Sequence, residues 1–545
     1  MAVRFPSSAH VDTFAFDHLP PVEQWPDLVF DLPELQYPAR LNCANAFLDE
    51  MLAKGFADKV AVRSATAQWT YAELTQKVNQ IAQVLVQDMN LVPGNRVLLR
   101  GANNLMMAAC ILAVWKAGLI AVPTMPLLRA KELSVIINKA QISAALCSAA
   151  LHEEMKLAQE MSPVLEQVKF FNVDLNSAVN AEASIDALMQ TKSSHYQAID
   201  TDAEDVCLIS FTSGTSGMPK GTMHFHRDVL AICDCFPRST LQSQESDVFI
   251  GTPPLAFTFG LGGLLLFPLR VGATAVLLEK LTPETLLKAI DEFQATTCFT
   301  APTFYRQMLP LVKNFSLKSL QKTVSAGEAL PAATREAWQA ATGLIMIDGI
   351  GATEMLHIFI SAAGEEARAG ATGKAIPGYQ ACVLDEEGKP AAVGVIGRLA
   401  VKGPTGCRYL ADERQKNYVF QGWNLTGDAY EMDAEGYFHY RARTDDMIIT
   451  AGYNVAGPEV EEVLLKHADV AECAVVGLPD EERGQIVKAF VVLRDASKAS
   501  DALVKELQDF VKNAVAPYKY PRAIEFREAL PRTETGKVQR FKLKQ

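Results

Sequence analysis

Phe211-Thr212-Ser213-Gly214-Thr215-Ser216-Gly217-Met218-Pro219-Lys220-Gly221 carries three glycines, four hydroxyl side chains and one lysine between apolar flanks. Glycine lets the backbone approach an anion and turn several N–H groups toward it, and the hydroxyls and the lysine add donors and charge. A mononucleotide P-loop needs Gly-Lys-Ser/Thr, but here Pro219 precedes Lys220 and Gly221 follows it, so the Walker reading fails. A flexible Ser/Gly turn needs neither the lysine nor the apolar flanks. The stretch reads as a phosphate-holding loop that follows a strand over 206–211 and leads through 222–225 into a helix near Arg227.

Working outward, short apolar runs alternate with helical patterns from residue 58 onward, which predicts an α/β fold of layered βα units. Thr70 and Glu73 form a capping-box pattern, and Leu74, Val78, Ile81 and Leu85 recur at helical spacing behind it. A strand over 97–99, a helix over 107–116 stopped by Gly118 and a strand over 119–122 follow. Near Asp445 the pattern changes to a small α+β unit: a helix over 458–467, strands around 474–476 and 489–493, a helix over 501–513 and a basic tail. The expected division is therefore 1–444 and 445–545. The proline-rich segment up to Arg40 is expected to wrap the surface.

A chain of 545 residues exceeds what one core supports, and its net charge of -12 argues against nucleic acid or an anionic membrane as the main partner. The ten scattered cysteines fit reduced thiols in a cytoplasmic compartment. The apolar run 105–115 is too short for a bilayer span, and no basic start followed by an apolar segment opens the chain. His224 and His226 could share a strand face, but no third ligand is evident, so the structural reading is preferred to zinc.

Four further stretches carry chemistry. Asp348-Gly349-Ile350-Gly351-Ala352-Thr353-Glu354 sets a glycine turn before a hydroxyl and a carboxylate, and a carboxylate near a polyphosphate is useful when a cation lies between them. Thr426-Gly427-Asp428 offers a carboxylate after a tight turn, suited to two sugar hydroxyls, with Arg443 downstream. Ser325-Ala326-Gly327-Glu328 is weak by itself. Pro531-Arg532-Thr533-Glu534-Thr535-Gly536-Lys537 places a lysine in a glycine loop near the C-terminus.

In this order the motifs resemble the adenylate-forming superfamily of acyl-CoA synthetases, adenylation domains and luciferases, over most of the chain. The resemblance implies a large N-terminal domain and a small mobile C-terminal one. It implies ATP, Mg2+ and coenzyme A as reactants, and an acid–thiol ligase that forms an acyl-AMP and then a thioester. It assigns Thr212, Ser213, Gly214, Thr215, Ser216, Gly217 and Lys220 to the phosphates, and Gly327, Glu328, Asp348, Gly349, Ile350 and Gly351 to the nucleotide. Thr353 falls at the α-phosphate, Glu354 at magnesium, Asp428 and Arg443 at the ribose, and Lys537 at the reacting carboxylate. Asp445 falls at the domain hinge and Gly452 beside the thiol tunnel.

For the acid, Ala256, Phe257, Thr258 and Phe259 supply aromatic walls beside a small residue, and Ala301 and Gly327 leave room for a flat ring. The string 348–359 resembles benzoate–CoA ligases, which makes His357 a polar wall with Ile358 beside it. The segments 10–14 and 35–38, with Phe257-Thr258-Phe259, resemble the 2-aminobenzoate branch. A small aromatic carboxylic acid is the expected substrate, with 2-aminobenzoate first and benzoate second. A carrier protein in place of free CoA, or a nucleotide-binding regulatory protein, are the rival readings, and a homodimer is left open.

Overall fold

The computed structural model describes residues 7–172, 184–212, 218–450, 453–480, 483–532 and 537–544. Two large sheets dominate it. A six-stranded sheet runs in the order Gln167–Phe171, Ala144–Ser148, Arg96–Arg100, Ile120–Thr124, Val206–Thr212, Lys220–Phe225. Its first five strands are parallel, and the last turns back antiparallel on Val206–Thr212 with Thr212 opposite Lys220. The described ends of the phosphate stretch, Phe211-Thr212 and Lys220-Gly221, thus pair at a sheet edge; its residues Ser213, Gly214, Thr215, Ser216 and Gly217 lie outside the described residues.

A nine-stranded sheet runs Lys374–Ala375, Ile358–Ala362, Ile347–Gly351, Lys322–Ala326, Thr297–Thr300, Val248–Gly251, Thr274–Val276, Val60–Arg63, Gln68–Thr70. Helix Leu105–Lys116 lies between the sheets with all its residues buried, in one cluster with Val97, Leu99 and Leu146 of one sheet and Val62, Phe249 and Phe299 of the other. Each large apolar side chain so buried contributes about 1.5–3 kcal/mol. Burial on every side explains why the segment is apolar all round up to its last residue, Lys116, whose buried ammonium pairs with Asp49. None of the described helices is long and apolar enough to cross a membrane.

Thr70 accepts from the Glu73 amide and Glu73 accepts from the Thr70 amide, so the predicted capping box starts helix Tyr71–Gln83. The apolar spacing through Leu85 continues into a wider turn, Val84–Asp88, rather than into regular helix. A five-stranded antiparallel sheet, with Trp423–Met432 paired to Phe438–Arg443, adjoins the large sheets. Beyond it a separate apolar cluster, including Ile448, Val460, Val475, Val491 and Leu507, organises helices Gly457–Leu464 and Asp501–Ala514 against the sheet Val470–Asp480, Gly484–Leu493, Ala523–Phe526. Both strands of this sheet's hairpin are longer than their apolar cores suggest. The architecture is a large α/β domain followed by a small α+β one.

Candidate active site

Strand Lys220–Phe225 brings Lys220 beside two partners from distant parts of the chain. Lys220 Nζ lies 2.9 Å from the Tyr409 hydroxyl and 3.6 Å from the Glu354 carboxylate. The Tyr409 hydroxyl donates to Glu354 Oε1. Burial holds the Tyr409 phenol far above its usual range, with the Glu354 charge adding to the effect, so the phenol stays a donor. Tyr409 is held there by a bridge to Thr222 and by the Leu410 amide donating to Gly221 O at 2.8 Å. The Thr212 hydroxyl is buried without a hydrogen-bond partner at the same hairpin end.

Strand Ile347–Gly351 delivers the second motif. A Cβ at Gly351 would stand 2.7 Å from the His357 carbonyl oxygen, so only glycine fits the return toward strand Ile358–Ala362. Thr353 and Glu354 follow in a single 3-10 turn, Thr353–Met355. His224 Nε2 lies 2.9 Å from the Thr353 carbonyl, and burial lowers the His224 pKa to about 4, so the neutral ring donates and ties the two loops together. Asp348 is buried, and its carboxyl is pushed up to about 7 by burial, with Arg335 pulling the other way.

Lys537 comes from the small domain and reaches this same cleft. Its Cε is 3.9 Å from where a Cβ on Gly327 would stand, and Gly327 turns there with φ +88. The side chain keeps access to solvent, while the protein crowding it lowers its ammonium pKa; the carboxylates of Glu328, Asp428 and Glu354 oppose that. Arg443 Nη1 lies 3.1 Å from Asp428, whose pKa burial raises. Lys220, Glu354, Glu328, Asp428, Arg443 and Lys537 therefore converge on one cleft between the domains. Asp445 lies on the turn Thr444–Asp446; its side chain, and the whole of Gly452, fall outside the described residues.

The acid segment gathers next to it. Phe259 lies at the start of a short helix, Thr258–Leu261, with Ala256 and Phe257 just before it, and Ala301 caps helix Pro302–Met308. His357 is enclosed by aromatic rings: Phe267 edge-on at 4.5 Å between centroids, Phe259 at 5.8 Å and Phe236 stacked at 5.9 Å. Neither ring nitrogen makes a well-aligned hydrogen bond, although the Phe259 backbone lies close enough to favour the charged form, and burial outweighs it to lower the His357 pKa to about 3, so the imidazole is neutral. Ile358 packs instead on Gly349.

Tyr409, Phe236 and Phe267 carry no signal in the sequence: none stands in a glycine- or hydroxyl-rich motif, and each reaches its partners by packing. His226 lies apart from His224, with Nδ1 accepting from the Cys43 amide at 3.1 Å. With Cys43 and Cys207 it forms a buried group whose ligand atoms lie within 4.8 Å of one another, but the Nδ1 lone pair is engaged by that amide.

The AMP-binding enzyme family profile matches residues 50–409, and the AMP-binding enzyme C-terminal domain profile matches residues 459–537. The chain belongs to the AMP-binding enzyme family. Among curated relatives it is 36% identical to the benzoate–CoA ligase of Thauera aromatica, over 94% of this chain and 97% of that protein. The 4-hydroxybenzoate–CoA/benzoate–CoA ligase of Rhodopseudomonas palustris is 30% identical over 92% of this chain and 94% of its own length. Among solved structures, the anthranilate CoA ligase AuaEII in complex with anthranoyl-AMP superposes with a TM-score of 0.88 at 33% identity, covering 94% of this chain and 98% of that one. The family member described here is an acid–thiol ligase of the adenylate-forming type that uses ATP and CoA.

Proposed function

We propose that the enzyme is an ATP-dependent 2-aminobenzoate (anthranilate)–CoA ligase. The substrate carboxylate attacks the α-phosphorus of ATP and releases pyrophosphate. The CoA thiol then attacks the aryl-AMP carbonyl and releases AMP. Carboxylate and triphosphate repel each other, so the first step needs fixed positive charge and a set geometry. In this reading Lys220 and the Thr212–Gly217 stretch steady the β- and γ-phosphates, and Thr353 contacts the α-phosphate. Asp428 accepts from the ribose hydroxyls, the 348–351 and 327–328 turns line the nucleotide, and Lys537 bridges carboxylate and α-phosphate.

Magnesium fits the donor set: Glu354 offers one carboxylate beside the phosphate site, and Mg2+ is commonly held by one carboxylate with substrate phosphates and water. When bound it neutralises phosphate charge. For the second step the 445–545 unit turns about Asp445, withdrawing Lys537 and bringing Gly452 to the thiol path. A reaction that consumes ATP and CoA fits the cytoplasm.

The observation that carries the choice of acid is the neutral His357 ring, boxed by Phe236, Phe259 and Phe267, with no well-aligned hydrogen bond at either nitrogen. A buried, unpaired polar group costs about 1–3 kcal/mol. A flat acid with an ortho-amino group recovers that cost by donating to the acceptor nitrogen. The likeness to the anthranilate ligase structure supports the same choice. Benzoate is the second reading, favoured by the identity to the Thauera aromatica enzyme. The test is ATP–pyrophosphate exchange over a panel of acids, with mass detection of thioester formed on free CoA. A higher specificity constant for benzoate than for 2-aminobenzoate overturns the assignment, and adenylate without CoA thioester points to a carrier protein.

A further inference from the structure

The loop that brings Lys537 into the cleft is closed at its base. The Gln539 amide donates to Pro531 O at 2.8 Å, and Arg532 pairs with Val538 across a backbone bridge. Arg532 therefore stands opposite the residue next to Lys537, and its guanidinium spans the two domains. Nη2 is 2.7 Å from Glu472 on strand Val470–Asp480 of the small domain, and Nη1 is 3.8 Å from Glu328 of the large one. Glu328 is itself anchored, its other oxygen accepting from the Thr303 hydroxyl at 2.7 Å. Two adjacent residues thus receive the loop, Gly327 facing Lys537 and Glu328 facing Arg532. The side chains are shielded, with Arg532 24%, Glu328 18% and Glu472 25% exposed, so water screens the pair less than it would at a surface.

We propose that Arg532 is a positioning residue for the adenylation half-reaction: braced by Glu472, it docks the Lys537 loop onto Glu328 and is released when the small domain turns away. The pair exists only while Lys537 is in the cleft. It therefore stabilises the adenylation arrangement without contributing to thioester formation, and its charge matters more than its bulk. The inference rests on the assignment of Lys537 to the adenylation chemistry.

The two half-reactions are measured separately, as ATP–pyrophosphate exchange and as thioester formation from supplied aryl-AMP and CoA. Arg532→Met is expected to lower the exchange rate about tenfold, equivalent to about 1.4 kcal/mol, and to leave thioester formation within about twofold. Arg532→Lys restores most of the exchange rate. Adding Glu328→Gln to Arg532→Met costs less than the product of the single effects, because both remove one contact. Unchanged exchange in Arg532→Met, equal loss in both half-reactions, or multiplicative single effects each overturn the proposal. Lys537→Ala is run beside them. If it leaves exchange unchanged, the Lys537 assignment falls; if it abolishes exchange while Arg532→Met does not reduce it, only the docking role falls.

Discussion

Gly262 tests whether His357 is a rigid wall of the acid pocket. A Cβ added there would lie 2.4 Å from His357 Cδ2, 2.9 Å from Nε2 and 3.1 Å from Phe267 Cζ. Carbon atoms rest about 3.5 Å apart or more, so in Gly262→Ala the ring must shift by roughly 1 Å. Phe267 edge-on at 4.5 Å and Phe236 stacked at 5.9 Å stand in the way of a retreat. Overpacking a tight core by a methyl costs about 1–3 kcal/mol. If the displaced imidazole borders the acid, that cost appears as lost acid binding, a rise in the acid KM of about 5- to 150-fold. The ATP KM stays the same, because Lys220, Glu354 and Asp428 make no contact with Gly262. The assay is pyrophosphate exchange with acid and ATP varied in turn, in protein verified as folded by circular dichroism. His357→Ala supplies the control: adding Gly262→Ala to it should do no further harm, since the clash partner is gone. An unchanged acid KM in Gly262→Ala, or a double variant that shows both losses in full, would refute the reasoning.

Two shorter predictions follow. Tyr409→Phe removes the hydroxyl that donates to Glu354 and lies 2.9 Å from Lys220, leaving the two charges to collapse on each other from 3.6 Å. The direct pair competes with phosphate, so initial-rate kinetics should give an ATP KM raised about tenfold, on the scale of one charge-assisted hydrogen bond, with the acid KM unaltered. Asp348 has a folded pKa of about 7 against an ordinary 3.8, so between those values the native state holds a proton that the unfolded chain has lost. Stability therefore falls as pH rises through that window, by up to about 4 kcal/mol, and urea unfolding of Asp348→Asn should give a flatter profile from pH 4 to 7.

The parts of the fold legible in the sequence are those specified by neighbours in the chain. The capping box at Thr70 and Glu73 involves a span of one helical turn, and both of its hydrogen bonds form. The helix over 107–116 is correctly placed by its length and its glycine stop, yet a helix apolar up to its final Lys116 has no polar face to say what covers it, and it joins one core cluster with strands of both large sheets. The hairpin Val470–Asp480 and Gly484–Leu493 extends beyond its apolar centre because backbone pairing continues where side chains face solvent, and there hydropathy carries no signal.

The same distinction divides the site. The motifs expected to handle the nucleotide gather glycine, hydroxyl and charge within a few residues and can be read together, although Thr426-Gly427-Asp428 sits inside strand Trp423–Met432 and not on the tight turn expected of it. Tyr409 is 55 residues from Glu354 and 189 from Lys220, and its role exists only because an isolated bridge to Thr222 folds it across the hairpin. Selectivity is harder still, because it depends on what a side chain lacks. His357 reads in sequence as a polar wall, but nothing local names what surrounds it. Three phenylalanines enclose the ring and burial keeps it neutral, while neither nitrogen forms a well-aligned hydrogen bond, the Phe259 backbone giving it partial support. The general acid-activating chemistry is therefore written in local motifs, whereas the surroundings of His357 are set by long-range packing.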